Sequence, residues 1–221
     1  KGFKWAMSEA ATEDYPTTQI DNGKTGKCVK LETRLTGDLG NMVGMPIAAG
    51  NLFIGSFDML NAITNPLSAT RFGTPFYNKP LRLTGYYKYK AGEQFYENGE
   101  YTSRKDIFNI YAIFYDGVKY DSAGKGTDVT LDGNLPNQNY EHSSMVALAL
   151  VSNPQETEGD EWKFFDIPFD YQRYGKKIDE ARLAKGEYKI GIIFASSKDG
   201  ATFEGAPGST LLIDEVELIY E

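Results

Sequence analysis

The sequence predicts an all-β sandwich or barrel with at most one short helix, and three observations predict it. Fifteen tyrosines, thirteen phenylalanines and two tryptophans stand among 221 residues, a ring-rich composition that suits strands better than helices. Eight β-type runs are separated by turn signals. Several of those runs alternate apolar and polar side chains, the period of a half-buried strand.

The first run, 28–35, points Val29, Leu31 and Leu35 one way and Lys30, Glu32 and Arg34 the other. Runs 52–60 and 81–90 follow as further strands. In 107–115, Phe108, Ile110, Ala112 and Phe114 share one face, and Asn109, Tyr111, Ile113 and Tyr115 the opposite one. Run 145–151 is apolar throughout, so both faces should be covered, or one should line a groove. In 162–169, Phe165, Ile167 and Phe169 point inward, with Trp162, Phe164 and Asp166 on the other face. Runs 188–195 and 210–220 complete the set. The expected core comprises Phe108, Ile110, Phe114, Leu148, Leu150, Ile192 and Phe194. Asn98-Gly99, Asp116-Gly117, Asp132-Gly133 and Asp199-Gly200 tolerate positive φ and suit tight turns. The single predicted helix spans 176–184 and is closed by Gly186.

Charge and composition exclude several classes. Thirty-one acids against 23 bases give a net charge of −8. Phosphate binding needs clustered Lys and Arg, so no nucleic-acid partner is expected, and docking on anionic lipid is disfavoured. With Cys28 the only cysteine and His142 the only histidine, neither an intrachain disulfide nor a multi-histidine metal site can form. No apolar run reaches the ~18 residues of a membrane helix, so no direct membrane insertion is expected. No signal peptide is visible, and a chain starting at Lys1 reads as a processed or trimmed piece.

Three stretches carry a resemblance. One is Ala48-Ala49-Gly50-Asn51-Leu52-Phe53-Ile54-Gly55-Ser56-Phe57. Another runs Arg71-Phe72-Gly73-Thr74-Pro75-Phe76, then Lys79-Pro80, then Gly85-Tyr86-Tyr87-Lys88-Tyr89-Lys90-Ala91-Gly92. The most specific runs from Ser196-Ser197-Lys198-Asp199-Gly200 through Phe203-Glu204-Gly205-Ala206-Pro207-Gly208 to Asp214-Glu215-Val216. In order and spacing they resemble the "putative carbohydrate metabolism domain" (PCMD) family of gut-bacterial surface proteins, over nearly the whole chain. The resemblance implies a single antiparallel β-sandwich of jelly-roll type over 1–221, similar to galactose-binding-like and other carbohydrate-binding modules. It also implies the C-terminal module of a longer exported protein, at the cell surface or in the periplasm, beside other domains of the same chain. No catalytic residues carry over, because the family has no agreed set.

Residue by residue, Asp214 alternates with Leu212, Val216 and Leu218, which turns it inward. A buried carboxylate must be paired, hydrogen-bonded or metal-bound. Many carbohydrate-binding jelly rolls look similar here, so Asp214 is a candidate ligand of a structural Ca²⁺, with Glu9 or Glu13 as a second carboxylate. The alternatives are an arginine partner or capping of backbone N–H groups. Segment 196–209 reads either as a binding loop offering Glu204 and Asp199 to sugar hydroxyls or as an ordered connection. Residues 123–127 lack the first glycine and following helix of a phosphate loop.

A glycosidase would need two carboxylates about 5 to about 9.5 Å apart, and Glu204 with Asp166 is a conceivable pair that no motif selects. His142, in a polar run, reads as a surface histidine. Tyr111, Tyr115 and Trp162 suit stacking on a sugar ring in one groove beside 107–115 and 162–169. Against that, the tyrosines suit a second core layer or a face crossed by a loop, and Trp162 could pack under 134–142. The leading expectation is a module binding an oligosaccharide or polysaccharide. The alternatives are a glycoside hydrolase using a carboxylate pair and an adhesive or spacer domain.

Overall fold

The computed structural model describes residues 15–221 apart from Asn61 and Ile63. Of its strands, those used below are β1 (Thr17–Ile20), β2 (Cys28–Glu32), β3 (Asn51–Phe53), β4 (Gly55–Phe57), β5 (Thr70–Phe72) and β6 (Thr74–Phe76). Then come β7 (Pro80–Lys90), β8 (Asn109–Asp116), β9 (Leu131–Asp132) and β10 (Met145–Leu150). The last are β11 (Lys163–Pro168), β12 (Tyr188–Ala195) and β13 (Thr210–Tyr220). One antiparallel sheet has the order β1-β2-β13-β7-β11; the other has β10-β8-β12-β3, with β6 also beside β12. Following β2, β3, β7, β8, β10, β11, β12 and β13, every step changes sheet except the one from β8 to β10. With spatial orders 2-13-7-11 and 3-12-8-10, this is a jelly roll.

The core between the sheets holds Leu31, Leu83, Tyr87, Phe108, Ile110, Phe114, Ile192, Phe194, Leu211 and Ile213. A second apolar layer lies on the far side of the second sheet. There Tyr111, Ile113, Tyr115, Leu148 and Ile193 meet Phe72 of β5, Leu131 of β9, and Leu135 and Tyr140 of the loop after β9. Strands β4, β5 and β9 form a small sheet beside that loop. Both faces of β8 are therefore covered. Leu148 and Leu150 belong to this outer layer rather than the central core, because they pair with Ile113 and Tyr111 and share their face.

Two interruptions redirect strands. Gly55, at φ 156, separates β3 from β4, and a Cβ there would lie 2.0 Å from the Arg71 carbonyl oxygen. Run 52–60 thus splits between the second sheet and the small one. In β13 the register with β7 shifts between Asp214 and Glu217, with Glu215 at φ 50. Leu211 and Ile213 point inward before this bulge, and Leu218 packs on the core after it. Asp214 consequently faces outward and is half-exposed, correcting the inward position expected from unbroken alternation. Run 28–35 also breaks: β2 stops at Glu32, Thr33 is drawn into a buried polar cluster, and Leu35 is 58% exposed.

Among the described residues the α-helices are three short segments: α1 (Gly37–Met42), α2 (Pro66–Ala69) and α3 (Glu180–Ala184). Helix α3 lies within the predicted 176–184; Asp179 caps it by accepting the Ala181 and Arg182 N–H groups. The other two span about a turn each and carry no apolar periodicity to announce them. Asn98 and Gly99, at φ 52 and 89, turn the hairpin between Phe95–Glu97 and Glu100–Thr102.

Candidate functional site

Where β8 begins and β12 ends, the outer layer stops short and leaves a concavity of about 220 Å³. Its floor comes from alternate residues of three paired strands. Asn109, Ala195 and Asn51 form one row; Tyr111, Ile193 and Phe53 form the next. Phe57, Phe72 and Leu67 make one wall, Gly133 and Pro136 another, and the turn from Ser197 to Phe203 a third. Phe72 stands edge-on to Phe53 at 5.7 Å and to Tyr111 at 6.3 Å. Tyr111 in turn meets Tyr140 at 5.1 Å. Phe57, 53% exposed, stands at the rim.

Polar groups on the floor are few and held. Asn109 Nδ2 donates to the Tyr140 hydroxyl at 2.9 Å, and Asn51 Nδ2 to the Ala49 carbonyl at 3.0 Å. Each amide oxygen is thereby left as an acceptor. Among the described residues no carboxylate lines the concavity, and Lys198 is the only charged one that does.

The third wall is fixed by a buried hub. Asp106 Oδ2 accepts from Ser197 Oγ at 2.5 Å, Ser209 Oγ at 2.7 Å and Ala206 N at 2.8 Å. Its Oδ1 accepts from Ile107 N at 2.8 Å. Thr33 Oγ1 lies 2.7 Å from Ser196 Oγ and 2.6 Å from Ser197 Oγ, and Ser196 Oγ accepts the Gly50 N–H. Burial pushes the Asp106 carboxyl above its ordinary range against the pull of these donors. Beyond the hub, the Lys198 N–H donates to the Ile107 carbonyl, Asp199 pairs with Arg104, and Phe203 takes the left-handed conformation at φ 62.

The expected site residues are dispersed. Tyr111 lies in the floor but is only 3% exposed, so it offers little face for stacking. Tyr115 is fully buried and its hydroxyl donates to the Phe72 carbonyl at 2.6 Å, which makes it a core residue. Trp162 sits on the outer face of the other sheet, half-buried, with the Lys88 ammonium 4.9 Å from its ring. The single groove beside 107–115 and 162–169 is therefore not formed, because β8 and β11 lie in opposite sheets.

Glu204 lines a separate, more open cleft with Tyr96 and Tyr101; Phe203 is common to both cavities. Asp166 lines a cleft between the edges of the two sheets and pairs with Arg82 at 2.6 Å, so Glu204 and Asp166 share no cavity. His142 is exposed, its Nδ1 accepting the Ser144 N–H.

Asp214 accepts the Thr25 and Glu215 N–H groups, the backbone-capping role. Among the described residues no group of three or more acidic, histidine or cysteine side chains could hold a metal. The calcium expectation also called on Glu9 or Glu13, which lie outside the described residues.

Sequence reasoning missed Asp106, Asn51, Phe53, Lys198 and Phe203 as site-builders. All but Asp106 lie in stretches that carry the family resemblance, and Asp106 sits at the entrance to the 107–115 run.

The model of the "Putative carbohydrate metabolism domain" family, PCMD, matches residues 1–219. The chain belongs to this family. Two crystal structures resemble this PCMD domain throughout. One, described as a putative glycoside hydrolase from Bacteroides vulgatus ATCC 8482, is 54% identical with a TM-score of 0.86, over 95% of this chain and 79% of that one. The other, described in the same words and from Bacteroides thetaiotaomicron VPI-5482, is 51% identical with a TM-score of 0.85. The PCMD domain is covered to 96% there but spans only 58% of that chain. A comparison with curated proteins finds no match.

Proposed function

We propose that this PCMD domain is a non-catalytic glycan-binding module and that the concavity on its second sheet is the binding site. One observation carries the reading: among the described residues this hollow combines aromatic walls and amide acceptors with no carboxylate. Apolar rings match the C–H face of a pyranose, while amides and an ammonium match its hydroxyls. About 220 Å³ lies below the ~300–1,000 Å³ usual for larger ligands, so one sugar ring or a chain end is the expected occupant. An exported protein at the cell surface or in the periplasm, in which other domains carry the chemistry, is the setting in which such a module would serve.

The test is a glycan array with the intact domain, followed by titration of the hits. Phe57→Ala, at the rim, should weaken binding while leaving the unfolding midpoint nearly unchanged. Absence of binding to any glycan would overturn the reading in favour of a spacer.

A glycosidase reading draws on the two relatives described as putative glycoside hydrolases. In the cleft between the sheet edges, Asp166 and Asp170 are its only two carboxylates. They lie four residues apart on largely extended chain, about 13 Å between Cα atoms. Asp166 is held by Arg82, and Asp170 accepts the Gln172 and Arg173 N–H groups. Release of reducing ends from an array hit would favour catalysis.

A further inference from the structure

Resting on the binding reading, we propose that the concavity selects an anionic sugar ring, a hexuronic acid whose carboxylate meets Lys198. The argument begins with charge. In a chain with 31 acids and 23 bases, a hollow with no carboxylate among its described lining residues is a local inversion. Of the described acids next in sequence to its lining residues, Asp199 pairs with Arg104 and Asp58 with Arg71, while Asp132 accepts from Asn134. Lys198 makes no ion pair among the described residues, although its neighbour Asp199 does.

Its position is fixed. Ser197 on one side is locked into the Asp106 hub, and the Lys198 N–H is held by the Ile107 carbonyl at 2.8 Å. The lysine stem therefore starts from a rigid point on the pocket wall, and its flexible end is free to meet a ligand. Lys198 is exposed, so its attraction for a bound carboxylate is that of a rim ammonium, modest and screened by salt. A neutral hexose would leave that cation without a counter-charge. A uronate of the same stereochemistry differs only in the group that supplies it.

The experiment titrates the intact domain with matched neutral and acidic probes, galactose with galacturonic acid and glucose with glucuronic acid, and their short oligomers, at low and high salt. The acidic member of the bound pair should bind about five- to tenfold tighter at low salt, with the preference shrinking as salt rises. Lys198→Ala should bring the two affinities together, and Lys198→Glu should invert the preference. Equal or tighter binding of the neutral member, or a preference untouched by Lys198→Ala, would overturn the proposal while leaving glycan binding standing. Failure of the folded domain to bind any probe or any array glycan, acidic or neutral, would overturn both.

Discussion

The Tyr140 hydroxyl accepts the Asn109 Nδ2–H at 2.9 Å, tying the loop after β9 to the first residue of β8. Tyr140 holds φ 59 and is buried against Tyr111, so a single hydrogen bond joins floor, wall and outer layer. Tyr140→Phe keeps the ring and removes the acceptor. The buried Asn109 amide then loses its partner, and the expected loss is about 1–3 kcal/mol in denaturant unfolding. Sugar affinity should fall with it, and an unchanged midpoint would show that the bond contributes nothing.

Phe108 marks the centre of the sandwich. It is fully buried, with ring centroids of Tyr87 at 4.7 Å and Tyr89 at 4.9 Å. Phe108→Ala should cost about 3–5 kcal/mol. Equilibrium unfolding in urea checks it, and a loss under about 1 kcal/mol would contradict the packing.

Trp162 offers a control on the opposite sheet. Its ring loses the Lys88 contact on truncation, worth about 0.5–1 kcal/mol at an exposed site. Trp162→Ala should leave glycan affinity unchanged, whereas Phe57→Ala lowers it. Reversal of that pattern in titration calorimetry would move the site to the first sheet.

Asp106 makes stability depend on pH in an unusual direction. Burial raises its carboxyl above the ordinary 3.8 in the folded state. The folded protein therefore keeps this proton to higher pH than the unfolded chain. Stability from this group is full below the ordinary value and is lost as pH rises through the raised one. Asp106→Asn cannot titrate, so the stability of wild type relative to this variant should decline as pH climbs from about 3 into the raised range. Urea melts across that range test it; a difference that grows with pH would mean that the four donors outweigh burial.

Much of the fold was legible because strand periodicity is local. The 188–195 and 210–220 runs coincide with β12 and β13, and Phe165, Ile167 and Phe169 point inward as their alternation requires. Asp214 was misplaced because one bulge at Glu215 reverses the alternation, and nothing in the sequence around Asp214 announces a left-handed glutamate. Tyr111 and Tyr115 read as a sugar platform because their face alternates like an exposed one. What covers it, Phe72, Leu131, Leu135 and Tyr140, arrives from other parts of the chain. The site was illegible for the same reason. Its floor rows join residues from three strands, and its third wall hangs on an aspartate about ninety residues from the serine it holds.

The hub around Asp106 has a kinetic consequence. Its bonds join positions 163, 91 and 103 residues apart, closures that form slowly because loop entropy must be overcome before any contact rewards it. Because the hub's side chains lie near the ends of β2, β8 and β12, we expect the wall from Ser197 to Phe203 to be ordered once those strands are placed. An intermediate with its sheets assembled but the hub open would have strands and a core yet no receptor. A bound sugar should then slow unfolding while leaving the refolding rate almost untouched, since it stabilises contacts absent from the transition state.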